Sequence, residues 1–474
     1  MTRPLILLTL PNLRESDVAR MPKLKALCAG GEIAELAPSV PAITCPVQAA
    51  MTTGALPRRH GIIGNGIFWR EREQVEMWTA PNDAIERPQI WDLLSHAEGG
   101  PRSAVWFPMH AKGCEAEYVC TPAPIHNPDG SESLWCYTRP TELYGELRDR
   151  LGHFRLDRFW GPMAGIQSSQ WIVDSAVLAA QRWQPEFFYI YLPHLDYAAQ
   201  KTGPESPEAT EAVGQLDEQI GRLADGFAAA YTEEPVWLVA GEYVITAVDR
   251  VIYPNRMLRE AGLLKLKPEA SGPGATGASP VAEDTHPSPL PEDVATVIDF
   301  RGSQAWAMAD HQVAHVFVDG GDPALAARVA DLFRGTPGVD EVLVGEERSR
   351  YGLDHPRSGE VVLICAPNAW MAYYWWDDES QSPSFARTVD IHRKPGYDPV
   401  ELFFDPATKS IPLDATLVRG SHGAPPRDAS QRTVLLASEP LMFDPLRPER
   451  DKPLADTDVF SIVMRHFGLN PEAT

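Results

Sequence analysis

The chain has 474 residues, 44% of them hydrophobic and 9% aromatic. That is enough to bury a sizeable core and excludes intrinsic disorder as a class. Its 42 lysines and arginines against 65 aspartates and glutamates leave a formal charge of −23. Such a balance repels a phosphate backbone or an anionic membrane surface and argues against nucleic acid as the main partner, while leaving room for a local pocket that takes a small anion.

In chain order, Leu5–Leu10 is a short, wholly apolar run ended by Pro11-Asn12, which predicts a buried parallel strand. A helix follows around Met21–Ala29, closed by Gly30-Gly31. Further buried strands are expected at Ala104–Phe107, Phe187–Leu192, Val236–Ala240, Ala314–Val318 and Val361–Cys365. The clearest helix is Pro207–Tyr231, where Val213, Leu216, Ile220, Leu223 and Phe227 recur at three- and four-residue steps. Strands alternating with helices predict an α/β fold with a mostly parallel central sheet covered on both faces, and in such sheets ligands bind at the carboxyl ends of the strands. Lys267–Thr296, rich in Pro, Gly, Ala and Ser, reads as a long flexible loop. The run AWMAYYWWDD at 369–378 reads either as a pocket wall or as a buried strand pair. No stretch reaches 18 apolar residues, so no membrane span is expected. The six cysteines form no CxxC pair, which disfavours finger-type zinc and fits a cytoplasmic protein with reduced thiols.

Segment 38–65, PSVPAITCPVQAAMTTGALPRRHGIIGN, carries the chemistry. Thr44 stands where a helix begins, as an N-cap with Pro46 in the first turn. A hydroxyl there faces unpaired backbone N–H groups and the positive end of the helix dipole, which favours both an alkoxide and a bound phosphate. Thr44, Pro46, Thr53, Gly54, Pro57, His60, Gly61, Ile62 and Asn65 fall in order on the pattern T-x-P…TG-x-x-P-x-x-HGI-x-x-N. In this the chain resembles the type I phosphodiesterase / nucleotide pyrophosphatase branch of the alkaline phosphatase superfamily. The resemblance implies an alkaline-phosphatase-like α/β domain over residues 1–474, with inserted cap regions, one of them expected at 110–185. It also implies that Thr44 is a covalent nucleophile and that Asn65 holds a phosphoryl oxygen. Cys45 has no counterpart in the pattern and is expected to be buried.

The same resemblance implies two divalent metals with ligands at strand ends. The first site asks for Asp, His and His, and the chain offers Asp196, Gln200 and His422, with His194 as a substitute donor. The second asks for Asp, Thr, Asp and His, and meets Pro11, Thr44, Glu242 and Tyr243. Asn12 reaches the first of these positions only after a one-residue slip. The expectation is therefore a reduced site, one divalent ion (Zn, Mn, Mg or Ca) held by Asp196, Glu242 and His422, with Gln200 and Tyr243 as accessory groups.

Two clusters lie outside the pattern. His311 and His315 in MADHQVAHVFV would share one face of a strand, as replacement ligands, as a base for Thr44, or as plain polar residues. His392 and Lys394 in DIHRKPGYDP suit a substrate phosphate or carboxylate, or a solvated loop. The resemblance points to a hydrolase of a small phosphorylated or anionic substrate. The altered ligands keep open a mutase- or isomerase-type enzyme and a catalytically inactive ligand-binding member.

Overall fold

In the computed structural model, residues 2–126, 132–269, 294–446 and 452–471 are described. The apolar run becomes β1 (Leu5–Leu10), every residue of it buried. There follow β2 (Glu32–Ala37), helix α1 (Thr44–Thr53), β3 (Ser103–Trp106), β4 (Tyr118–Pro122) and β5 (Cys136–Arg139). Next come helix α2 (Ile166–Trp183), β6 (Phe187–Tyr191), helices α3 (Leu195–Thr202) and α4 (Pro207–Ala230), and β7 (Val236–Gly241). A second group contains β8 (Ala305–Asp310), β9 (Val313–Val318), helix α5 (Pro323–Phe333), β10 (Val339–Val344) and β11 (Val361–Cys365). The chain then returns through β12 (Thr433–Ala437), β13 (Leu454–Ala455) and helix α6 (Thr457–His466).

The central sheet has the order β13-β2-β12-β7-β1-β6-β3-β4-β5. The run β7-β1-β6-β3-β4 is parallel throughout. β12 lies antiparallel to both β7 and β2, and β5 antiparallel to β4. Helices flank this sheet: α4 packs on α2, and α6 packs on α1. Pro207 follows the Ser206 cap, whose hydroxyl accepts from the Ala209 N–H, so α4 starts where its sequence signals place it. In register, Thr9 of β1 pairs with Tyr191 of β6 and Ala240 of β7, and Leu10 with Gly241. The carboxyl ends of these three strands therefore lie level.

The predicted strands at Ala314–Val318 and Val361–Cys365 exist, but not in the parallel sheet. They are β9 and β11 of a separate antiparallel sheet ordered β8-β9-β11-β10, with a core of its own that includes Trp306, Phe317 and Leu363. A fully apolar run says that both faces are buried, not which way the strand runs. Here the two-residue link His311–Gln312 forces β8 and β9 antiparallel.

Within 110–185, residues 118–122 and 136–139 extend the central sheet and 166–183 flanks it. At the ends of the Pro/Gly-rich segment, Leu266–Pro268 pairs with Thr296–Ile298; its residues 270–293 lie outside the described ones. The aromatic run is core: Ala369–Met371 pairs with Arg250–Ile252, and Tyr373, Tyr374, Trp375 and Trp376 are all buried.

Candidate active site

Three parallel strands deliver the site residues. β6 leads into α3, which carries Asp196 and Gln200; β7 ends at Gly241 and is followed by Glu242 and Tyr243. The turn after β1 holds Asn12 at φ 54°, a left-handed conformation that asparagine tolerates better than most residues. The Asn12 side chain accepts from the Ile245 N–H (2.8 Å) and donates to the Leu195 carbonyl, so it braces the neighbouring turns instead of presenting a ligand. Two more segments complete the site: the turn carrying His422, and the β8–β9 hairpin with Asp310 and His311.

Thr44 is the first residue of α1, not its cap. Ile43, extended at φ −134°, takes the cap position. The Asn65 side-chain oxygen accepts the Cys45 N–H at 3.0 Å and does the capping from twenty residues away. The Thr44 hydroxyl is thereby released from capping and meets the Tyr243 hydroxyl at 3.0 Å, and Tyr243 donates to Asp196 Oδ2 at 3.0 Å. Because the phenolic proton lies toward Asp196, the phenolic oxygen is left to accept from Thr44. The pair is thus polarised away from the Thr44 oxygen. Most of the motif around it is structural. Gly54 ends α1 at φ 65°, where a Cβ would also strike Phe460, and His60 Nδ1 accepts the Ile62 N–H in the turn that closes at Gly61. Cys45 is buried as expected, and burial pushes its thiol well up, which leaves it protonated.

The second sheet closes the other side. Asp310 accepts from the Asn65 backbone N–H (2.7 Å), from the Asn65 side-chain amide (3.1 Å) and from His311 Nδ1 (2.7 Å). Four rings then run in a column. Tyr243 stacks on His422 (3.7 Å between centroids, 5° between planes), His422 meets His311 (4.0 Å), and His311 stacks on Tyr397 (3.6 Å). The Tyr397 hydroxyl donates to Gln200 Oε1 at 2.6 Å. Gly396 permits this docking, since a Cβ there would lie 2.6 Å from the Ala309 carbonyl oxygen. Asp310 and Tyr397 are not signalled by the sequence motif. The one hint is the Asp beside His311, and its partner Asn65 lies 245 residues away.

Other predicted residues are placed differently from the expectation. His311 lies in the hairpin turn at φ 59°, so it shares no strand face with His315. His315 donates from Nε2 to the Ile63 carbonyl and accepts the Gly359 N–H at Nδ1, which occupies both nitrogens with backbone. His194 donates to Gln215 Oε1 and meets the ring column only at second hand, through Tyr197 and Trp160 to Tyr397. Lys394 is 1% exposed and bridges Asp398 (2.8 Å) and Glu401 (2.6 Å), a buried ion triad and not a substrate contact. His392 is half-buried in the turn before it.

Burial governs protonation here. It raises Asp196 to about 7 and Asp310 to about 6, the latter restrained by its bonds from Asn65. Burial and the nearby Asp196 raise Glu242 to about 8, although Gln48 donates to it at 2.8 Å. His311 and His422 are held well below the usual imidazole range by burial and are neutral. Because His422 Nδ1 hydrogen-bonds the Ala42 carbonyl, its Nε2 carries the lone pair.

Whether these groups fit the divalent metal that the resemblance implies turns on four atoms. Asp196 Oδ1, Glu242 Oε2, His422 Nε2 and His194 Nδ1 are buried without a hydrogen-bond partner. In kind they are what a divalent cation takes. In placement they are not: among the described residues no group of three or more His, Cys, Asp or Glu side chains is positioned to hold a metal ion. The donor set also departs from the implied one in chemistry: Pro11 offers no donor atom, and Gln200 and Tyr243 stand where histidines are implied.

The fold and this strand-end site define an α/β protein of alkaline-phosphatase-like architecture. A sequence model of the type I phosphodiesterase / nucleotide pyrophosphatase family matches residues 5–398, and the chain belongs to that family. An uncharacterized pyrophosphatase/phosphodiesterase of Schizosaccharomyces pombe is 26% identical over 191 residues, 40% of this chain. That match spans only 33% of the yeast protein. Crystal structures of phosphonoacetate hydrolase from Sinorhizobium meliloti 1021, in complex with phosphonoformate and with phosphonoacetate, superpose with a TM-score of 0.58 at 17% identity. Each covers 98% of this chain and 96% of its own. Among the described residues no helix is long and apolar enough to cross a membrane.

Proposed function

We propose that this chain hydrolyses esters of small phosphorus oxyanions through Thr44. The reading rests on one observation: the Thr44 hydroxyl, at the first residue of a buried ten-residue helix, is held by a phenol that itself donates to a carboxylate. The family match supports phosphoester chemistry in general. In the proposed step the Thr44 oxygen bonds to phosphorus, the bond to the ester oxygen breaks, and the leaving alcohol departs with a proton. The Thr44 proton has a path through the Tyr243 hydroxyl toward Asp196. Developing charge on the phosphoryl oxygens is favoured by the positive end of the α1 dipole, where Asn65 already takes the Cys45 N–H and Pro46 has none. Water then bonds to phosphorus, the bond to Thr44 Oγ1 breaks, and the proton held at Asp196 returns through Tyr243 to the Thr44 oxygen. Asn65 has a structural task beside the family-implied one: its side-chain oxygen takes the Cys45 N–H and one amide hydrogen goes to Asp310, which positions the helix start and leaves the second amide hydrogen for a phosphoryl oxygen.

The test is a panel of phosphodiester, phosphomonoester and phosphonate substrates assayed with the parent, Thr44→Ala and Thr44→Ser. Turnover that is lost in the first and partly retained in the second supports the reading; equal turnover in all three removes Thr44 from the chemistry. A second reading, a member that binds an anionic ligand without turning it over, draws on the substituted strand-end residues Pro11, Gln200 and Tyr243. It predicts binding of phosphonate ligands with no product from any substrate in the panel.

A further inference from the structure

We propose that Tyr243 has displaced the family's metal pair and that this site holds its ligand without a resident divalent ion. Several of the positions where the resemblance implies ligands offer no donor or already hold another bond. Pro11 has no donor atom, and Asn12 beside it is tied to Ile245 and Leu195. Gln200 receives the Tyr397 hydroxyl, and Glu242 receives the Gln48 amide. Tyr243 does most. Its hydroxyl lies 3.0 Å from both Thr44 Oγ1 and Asp196 Oδ2, between the nucleophile of one implied metal site and the carboxylate of the other. Each implied ion needs its own oxygen, Thr44 Oγ1 for one and Asp196 Oδ2 for the other, within about 2.0–2.6 Å, and an ion that approaches either oxygen from the side the phenol fills requires the phenol oxygen to leave. Leaving would break two buried hydrogen bonds and the parallel stack on His422. The phenol thus does part of what a metal would do: it fixes the Thr44 oxygen relative to Asp196 and fills the space between them. The unpartnered atoms on Asp196, Glu242 and His422 are the residue of a donor set that is no longer brought together.

This inference concerns how the site is assembled and stands whether or not turnover is found, so its test reads metal and not product. The parent protein, produced in medium supplemented with Zn²⁺ and Mn²⁺ and purified without chelator, is analysed by elemental mass spectrometry. Its melting temperature is recorded with and without EDTA and with added Zn²⁺. The expected result is metal well below one ion per chain and no shift in Tm with either reagent. A second protein with Pro11→Asp, Gln200→His, Glu242→Asp and Tyr243→His restores the implied ligands and is expected to gain stoichiometric zinc and a Zn²⁺-dependent rise in Tm. The parent measurement stands alone if that variant does not fold. One ion per chain in the parent, lost in His422→Ala, would overturn the proposal.

Discussion

On the central-sheet side of the site, Thr44, Asp196 and Tyr243 sit within a few residues of helix starts or strand ends, and their hydroxyl and carboxylate atoms touch one another directly. On the second-sheet side, Asp310, His311 and Tyr397 reach the same place from a hairpin turn and a distant loop, and they touch mainly Asn65, Gln200 and His422. The first side carries the groups suited to bond-making. The second carries the groups that fix where those stand. The two meet at the Tyr243–His422–His311–Tyr397 column, so a change on one side is felt by the other through ring packing and the Asn65–Asp310 bonds.

Breaking the first side at its centre gives the largest effect. Thr44→Ala is expected to reduce turnover by about 10⁴-fold or more, the scale of losing a nucleophile that works as part of a unit, with Tm nearly unchanged because Ile43 and Asn65 cap the helix. Activity assays beside thermal melts separate the two. On the second side, Lys394→Ala leaves Asp398 and Glu401 buried without their cation. It is expected to destabilise the fold by about 3–5 kcal/mol, measured by urea denaturation. Asp310→Ala strips acceptors from Asn65 and His311; a loss of about 1–3 kcal/mol is expected, together with a fall in turnover that Thr44→Ala makes invisible in the double variant. Tyr243→Phe keeps the stack on His422 and removes only the hydroxyl. It is expected to lower turnover by about 10–100-fold, at the low end for a misplaced proton path, and to cost about 1–3 kcal/mol in urea because Thr44 and Asp196 lose a buried partner. The smallest effect sharpens the boundary: His194→Gln, outside the ring column, is expected to leave turnover unchanged.

Much of the first side was legible in the sequence. The apolar runs at 5–10, 187–192 and 236–240 became neighbouring parallel strands, and the 44–65 motif put Thr44 at a helix start. What the motif did not reveal was that Asn65 would cap the helix and so release Thr44 from that task. The second side was nearly illegible. Its strands read as more of the parallel sheet, because a buried apolar run carries no direction. Asp310 drew no attention, because the residue that makes it matter is 245 positions away. Tyr243 stands in the sequence where the pattern has a histidine and reads there as an accessory group of a metal site. That its hydroxyl joins Thr44 to Asp196 depends on the stack against His422, which is a property of packing and not of spacing.

The most direct test of the central claim is to trap the covalent step. The parent and Thr44→Ala are mixed with the best substrate of the phosphoester and phosphonate panel, quenched in acid during turnover, digested and mapped by mass spectrometry. The account predicts a phosphorus adduct on the peptide bearing Thr44 in the parent and none in the variant. Turnover with no adduct at Thr44, or an equal rate from Thr44→Ala, would contradict it.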